Sequence, residues 1–350
     1  MRNIIGHETA QQQFWDSCKS GKMAQSWIFL GPKGIGKSTF AKHAVRELLA
    51  GTISAKAVEI AASKPTMLFA EEAAPAPITP DSIHHPDHPI YRKVELGTHP
   101  DLLIIDTKVK EGEKKKNELG VDAIREVPNF LRLAAAEGSW RIVVIDDAEM
   151  MNKNAANALL KILEEPPPKS LIILIASTLG YFPPTIRSRC RVLKFTALPD
   201  DALRGYMREN FPAVHRPEDQ SFYIQFAAGS LGNLKLLIEA EALSLYAEIK
   251  RMLEYMQARK TEWPRVHMLA EKCDANPEVA QMIFNRLCET AIRPVSMTQP
   301  DSAREIMLRL KTPSGWLDYY DQMQDLVGKQ QFLYLDGKQT WLNVMAKMAA

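Results

Sequence analysis

Gly31-Pro32-Lys33-Gly34-Ile35-Gly36-Lys37-Ser38-Thr39 satisfies the spacing G-x-x-x-x-G-K-[ST], and its flanks agree with it. Trp27-Ile28-Phe29-Leu30 reads as a short buried strand. Phe40, Ala41, Ala44, Val45 and Leu48 recur at helical spacing behind the loop. Strand, glycine-rich loop and helix together make a phosphate cradle. Glycines let successive backbone N–H groups curl around an anion, and the helix N-terminus adds partial positive charge. In such a cradle Lys37 reaches the outer phosphates and the Ser38 hydroxyl ligates Mg²⁺. The bland alternative, a glycine-rich turn before an ordinary helix, does not explain why all three parts agree.

The stretch Arg141-Ile142-Val143-Val144-Ile145-Asp146-Asp147 supplies the second half of such a site. Its apolar run is that of a parallel strand buried on both faces. Its acidic pair stands at the C-terminal end, where open α/β sheets bind ligands. Asp146 is placed to hold Mg²⁺, and Asp147 stands where a water-activating carboxylate is wanted. An acidic helix cap is the competing reading, since a helix begins near Asn152. Further strands read over 101–106, 170–176 and 192–195, with Ser177 and Thr178 at the end of the 170–176 strand as γ-phosphate sensors. Strands alternating with helices predict a doubly wound, mainly parallel sheet.

Other segments are less informative. Prolines between 51 and 97 predict a surface insertion. Its His84, His85 and His88, with His99 just beyond, are read as loop residues and not as a metal site. The basic run 108–116 reads as a solvated hairpin or loop tip in preference to a DNA-binding arm. Beyond Leu198 the pattern is helical. It includes short helices over 202–210 and 221–228 and one long helix from Asn233 to about Ala258. Trp263, Met268, Ile283, Leu287, Ile306, Leu310, Trp316, Leu326, Phe332 and Trp341 are assigned to a bundle core.

Composition sets outer bounds. The 350 residues, 46% hydrophobic and 25% charged, are ordinary for a globular chain of two or three domains. A net charge of +2 neither demands nor excludes nucleic acid. Cys18, Cys190, Cys273 and Cys288 form no C-x-x-C pair and read as reduced thiols. Met1 to Glu8 turns polar too soon for a secretory signal, and no apolar run approaches a membrane span. A cytoplasmic setting away from membranes is expected.

Taken together, these stretches resemble the bacterial clamp-loader branch of the AAA+ ATPases. The specific match is Asn154-Ala155-Ala156-Asn157-Ala158-Leu159-Leu160-Lys161-Ile162-Leu163-Glu164-Glu165-Pro166-Pro167, followed by Pro184-Thr185-Ile186-Arg187-Ser188-Arg189-Cys190. Ile5-Gly6-His7-Glu8 and Gly97-Thr98-His99-Pro100-Asp101 fit as well. The motifs cover about the first 195 residues. Within the branch the closest resemblance is to the delta-prime family of DNA polymerase III subunits, in a form lacking the zinc module. The resemblance implies an AAA+ P-loop domain over 1–195 with its 51–97 insertion, a helical lid over 196–242 and a helical collar over 243–350.

It also implies roles. Arg189, in the Ser-Arg-Cys motif, becomes an arginine finger acting in trans on ATP held by a neighbouring subunit. The nucleotide contacts become Gly31, Pro32, Lys33, Gly34, Ile35, Gly36, Lys37, Ser38, Thr39, Asp146 and Thr178, with Ser38 and Asp146 on Mg²⁺. The implied partners are the delta and tau or gamma subunits, the beta sliding clamp and, through the complex, primer-template DNA. Three departures qualify this. The insertion lacks the motor subunit's four zinc cysteines, so no zinc is expected. Asp146-Asp147 stands where the motor has Asp-Glu, and a carboxylate one methylene shorter spoils the positioning of water. Gly232 and Asn233 stand where the lid often supplies an arginine, and Lys235 is a weak substitute. Binding of ATP is therefore expected, with hydrolysis in cis in doubt. The rivals are a motor ATPase of the same branch and, farther off, a stand-alone P-loop kinase.

Overall fold

The computed structural model describes residues 4–20, 23–51, 82–107, 118–137, 140–260, 262–293, 302–333 and 335–349. It divides into two compact units, Met1–Leu198 and Pro199–Ala350.

In the first unit the strands are β1 (Ser26–Leu30), β2 (Leu102–Ile105), β3 (Arg141–Ile145), β4 (Ser170–Ala176) and β5 (Arg191–Lys194). They form one sheet of five strands in the order β2-β3-β4-β1-β5. Every pairing is parallel. The helices are α1 (Glu8–Lys19), α2 (Lys37–Leu49), α3 (Pro89–Glu95), α4 (Val121–Arg132), α5 (Lys153–Glu164) and the short α6 (Pro184–Arg187). The expected parallel α/β sheet is the observed one.

The apolar runs divide between two faces because successive strand residues point opposite ways. Trp27, Phe29, Ile142, Val144, Ile173 and Ile175 join Phe14 of α1 and Phe40 of α2 in one core. Ile28, Val143, Ile145, Ile172 and Leu174 join Ile124 of α4 and Leu159 of α5 in the other. Burial on both faces is what lets β3 and β4 dispense with polar alternation.

The structure corrects part of the insertion. Residues 52–81 and the basic run 108–116 lie outside the described residues. At the far end of the insertion, however, a 3₁₀ turn at Ser82–His84 and helix α3 pack on α2. Ile83 and Val94 are completely buried there, so this part belongs to the core. The Gly97–Asp101 motif proves structural. Asp101 is fully buried, and its carboxylate accepts the backbone N–H groups of Ala136 (2.7 Å) and Glu137 (2.8 Å).

Among its described residues the second unit has helices only: α7 (Asp200–Asn210), α8 (Pro217–Ala227), α9 (Leu231–Glu239), α10 (Ala242–Gln257), α11 (Trp263–Ala275), α12 (Pro277–Ile292), α13 (Ser302–Leu310), α14 (Pro313–Leu333) and α15 (Gly337–Ala349). The long helix expected from 233 to 258 is in fact two. Glu241 takes a left-handed conformation (φ 50°) and separates α9 from α10. Ile283, Leu287, Trp316 and Trp341 are buried as assigned. Phe284 stacks on Trp341 at 5.5 Å, and the Trp316 indole N–H donates to the Met307 carbonyl at 2.8 Å. Trp263 and Met268 are instead 52% and 60% exposed. The buried stripe of α11 runs through Val266, Leu269, Ala270 and Cys273, and Met268 falls off that face.

Candidate nucleotide site

The loop from Gly31 to Gly36 joins the end of β1 to the start of α2, as its spacing requires. Gly31 is dictated by close approach: a Cβ there would lie 2.3 Å from the Phe195 carbonyl oxygen and 2.8 Å from Ile35 Cδ1. Gly36 is dictated by its backbone, since it caps α2 with φ 107°. From the N-terminal segment, His7 Nε2–H donates to the Ile35 carbonyl at 2.7 Å, and its ring packs edge-on against Phe195. The Ile5–Glu8 motif therefore clamps the loop from outside.

Lys37 is buried, and its ammonium donates to the carbonyls of Gly31 (2.6 Å) and Pro32 (2.7 Å) across the inside of the loop. Burial pulls its pKa below the ordinary lysine value, against the opposing pull of Glu149, Asp146 and Asp147. The Ser38 hydroxyl donates to Asp146 Oδ2 at 2.8 Å. That contact spans 108 positions of sequence and brings the loop and the end of β3 together. A hydroxyl and a carboxylate in contact beside a lysine offer hard oxygen donors suited to a divalent cation such as Mg²⁺.

Asp147, in a left-handed conformation (φ 48°), turns to a different partner: its Oδ2 accepts from Thr107 Oγ1 at 2.9 Å. Thr178 is a local turn residue, with Oγ1 accepting from the Gly180 N–H at 3.3 Å. Ser177 is held more firmly, since both its N–H (3.1 Å) and its hydroxyl donate to Glu149 Oε1.

Glu149 and Thr107 were not singled out from the sequence. Glu149 sits in a 3₁₀ turn, Ala148–Met150, and its Oε2 is buried without a hydrogen-bond partner. Its position three residues past Asp146 is a weak signal, because an acid before a helix usually means a cap. Thr107 had no signal at all, as its role depends on β2 lying beside β3.

Arg189 stands beyond α6 and is exposed. Its guanidinium pairs with Glu164 at 2.7 Å and donates to the Thr185 carbonyl at 2.9 Å and to Ser188 Oγ at 3.3 Å. None of these partners belongs to the loop 31–39. Cys190, next in the motif, is buried, and desolvation pushes its thiol up to about 12.

Residues 78–199 match the family model described as DNA polymerase III, delta subunit. The chain is 32% identical to the delta-prime subunit of DNA polymerase III from Pseudomonas aeruginosa over 51% of this chain and 46% of that one. With the delta-prime subunit from Escherichia coli it shares 42% over 31% of this chain and 30% of that one. With the tau subunit from Bacillus subtilis it shares 26% over 71% of this chain and 39% of that one. The aligned part thus spans less than half the length of each of these relatives. Among solved structures, a DNA polymerase III gamma subunit-related protein from Thermotoga maritima is 18% identical, with a TM-score of 0.45 over 96% of this chain and 98% of that one. With its phosphate loop and five-stranded parallel sheet, the first unit is that of a P-loop α/β protein, and the chain is a relative of the clamp-loader subunits of bacterial DNA polymerase III.

Proposed function

We propose that this chain is a delta-prime-type clamp-loader subunit, binding nucleotide in its own loop and serving a neighbour's ATP through Arg189. The observation that carries this is the contrast between two charged groups. Lys37 is buried and turned onto its own loop. Arg189 is exposed and steadied by Glu164 and Thr185 outside that loop. A guanidinium presented at a subunit boundary stabilises charge on a transferring phosphoryl group and couples hydrolysis to assembly.

In the own site, the N–H groups of residues 31–36 and the Lys37 ammonium hold the phosphates of ATP. Ser38 and Asp146 hold Mg²⁺, and Thr178 and Ser177 stand near the γ-phosphate. Asp147, engaged by Thr107, is not set to activate water, so turnover in cis is slow. The lid runs to 242 and the collar beyond it. The partners are the delta and tau or gamma subunits, and the assembly closes the beta sliding clamp on primed DNA. Any direct DNA contact is to phosphates and independent of sequence.

The test is DNA- and clamp-stimulated ATPase of a reconstituted loader carrying Lys37→Ala or Arg189→Ala in this subunit alone. Arg189→Ala is expected to cut turnover by about 10³-fold or more, the scale of an arginine finger, with Lys37→Ala leaving it nearly unchanged. The opposite pattern makes the chain a motor ATPase. That second reading is favoured by the intact Ser38–Asp146 contact and by the long match to tau.

A further inference from the structure

Away from the phosphate loop, α2 carries a second set of donor atoms. His43 and Glu47 are four residues apart, so their side chains leave the helix on one face. The 3₁₀ turn Ser82–His84 brings His84 onto that face, pinned by the fully buried Ile83. His84 Nε2 lies 2.9 Å from Glu47 Oε1, and the His84 ring stacks on His43 with centroids 3.9 Å apart and planes 9° from parallel. One donor atom from each of the three residues lies within 4.8 Å of the other two. His84 Nδ1 is buried and has no hydrogen-bond partner, an arrangement that costs free energy while it stays unmet. Arg46, whose charge acts on His43, is itself engaged by Glu95 at 3.0 Å and lies over the Tyr91 ring.

We propose that His43, Glu47 and His84 form a binding site for a divalent transition metal of the zinc type, stapling the 82–84 turn to α2. This departs from the expectation of no zinc, which rested on missing cysteines. Two imidazoles and one carboxylate suit zinc, and select against the all-oxygen preference of Mg²⁺ and Ca²⁺. Three protein ligands leave a fourth position for water. With the rings parallel, no ion lies in both ring planes, so one imidazole turns about its side-chain bonds as the metal binds. The partial exposure of all three residues leaves room for that turn. The ligands come from two segments that the sequence separates by 37 positions between Glu47 and His84, and the metal ties them together.

The test is calorimetric titration of the untagged, chelator-treated full chain with zinc chloride, with the thermal midpoint as a second reading. One zinc per chain is expected, with a raised midpoint and no competition from millimolar Mg²⁺. His84→Ala and Glu47→Gln should each weaken binding by about 10-fold or more, the loss that even outer-sphere changes reach, and abolish the midpoint shift. Binding that survives in both variants, or no binding by the unaltered chain, overturns the proposal. Zinc-edge X-ray absorption on the unaltered chain covers the case of a variant that misfolds. A nitrogen and oxygen shell with imidazole scattering supports the site, and a sulfur shell overturns it.

Discussion

At the scale of single residues, the loop is held by steric and electrostatic constraints that can be separated. Gly31 has no room for a methyl group against the Phe195 carbonyl. Gly31→Ala should therefore cost roughly 1–3 kcal/mol of stability, as overpacking does, read as a lower urea midpoint. Glu149 satisfies two donors of Ser177. Its replacement by Ala strands a backbone N–H and should cost about 1–3 kcal/mol, measured the same way. His43 sets a pH dependence. Burial, helped by the neighbouring His84 and Arg46 and opposed by Glu47, pushes its pKa down from 6.5 to about 4. The unfolded chain then binds the proton more tightly, so stability present above pH 6.5 is lost as pH falls toward 4. The most His43 can contribute is about 3 kcal/mol, at 1.36 kcal/mol per unit, less its partial exposure. Urea melts of chelator-treated protein between pH 7 and 5 should show a slope that His43→Gln flattens. The lysine, the serine and both aspartates of the site were legible in the sequence because local spacing places them. Glu149 and Thr107 were not, since each acts through a strand neighbour remote in sequence.

At the scale of elements, helix starts are set by local chemistry and helix breaks by less visible causes. Asn152 caps α5 by accepting the Ala155 N–H at 2.9 Å. Asn152→Ala should lower stability by about 1 kcal/mol. The break between α9 and α10 has no proline or glycine to announce it, which is why apolar periodicity alone predicts one helix from 233 to 258. Glu241 bears that break in a left-handed backbone. Glu241→Gly should relieve it and stabilise the chain by about 1 kcal/mol, seen as a higher thermal midpoint. The exposure of Trp263 and Met268 carries the same lesson. Residue type suggested core, but the stripe of α11 is set by the helices it meets, α15 among them.

At the scale of the whole molecule, both units keep their thiols out of water. Desolvation pushes Cys18, Cys190, Cys273 and Cys288 up to about 12. At pH 8 all four should react slowly with a disulfide reagent in the native chain and promptly in urea, followed by absorbance. The sequence by itself determined the phosphate loop, the parallel sheet and the helical second half, because each is written in spacing and periodicity within a few residues. Only the tertiary structure decided that Ser38 meets Asp146, that Thr107 holds Asp147 and that His84 lies on His43 and Glu47. These contacts depend on strand order and on where a connecting segment returns to the core. Such placement is a property of the folded chain as a whole, since burying many distant apolar groups together selects it and no local stretch encodes it.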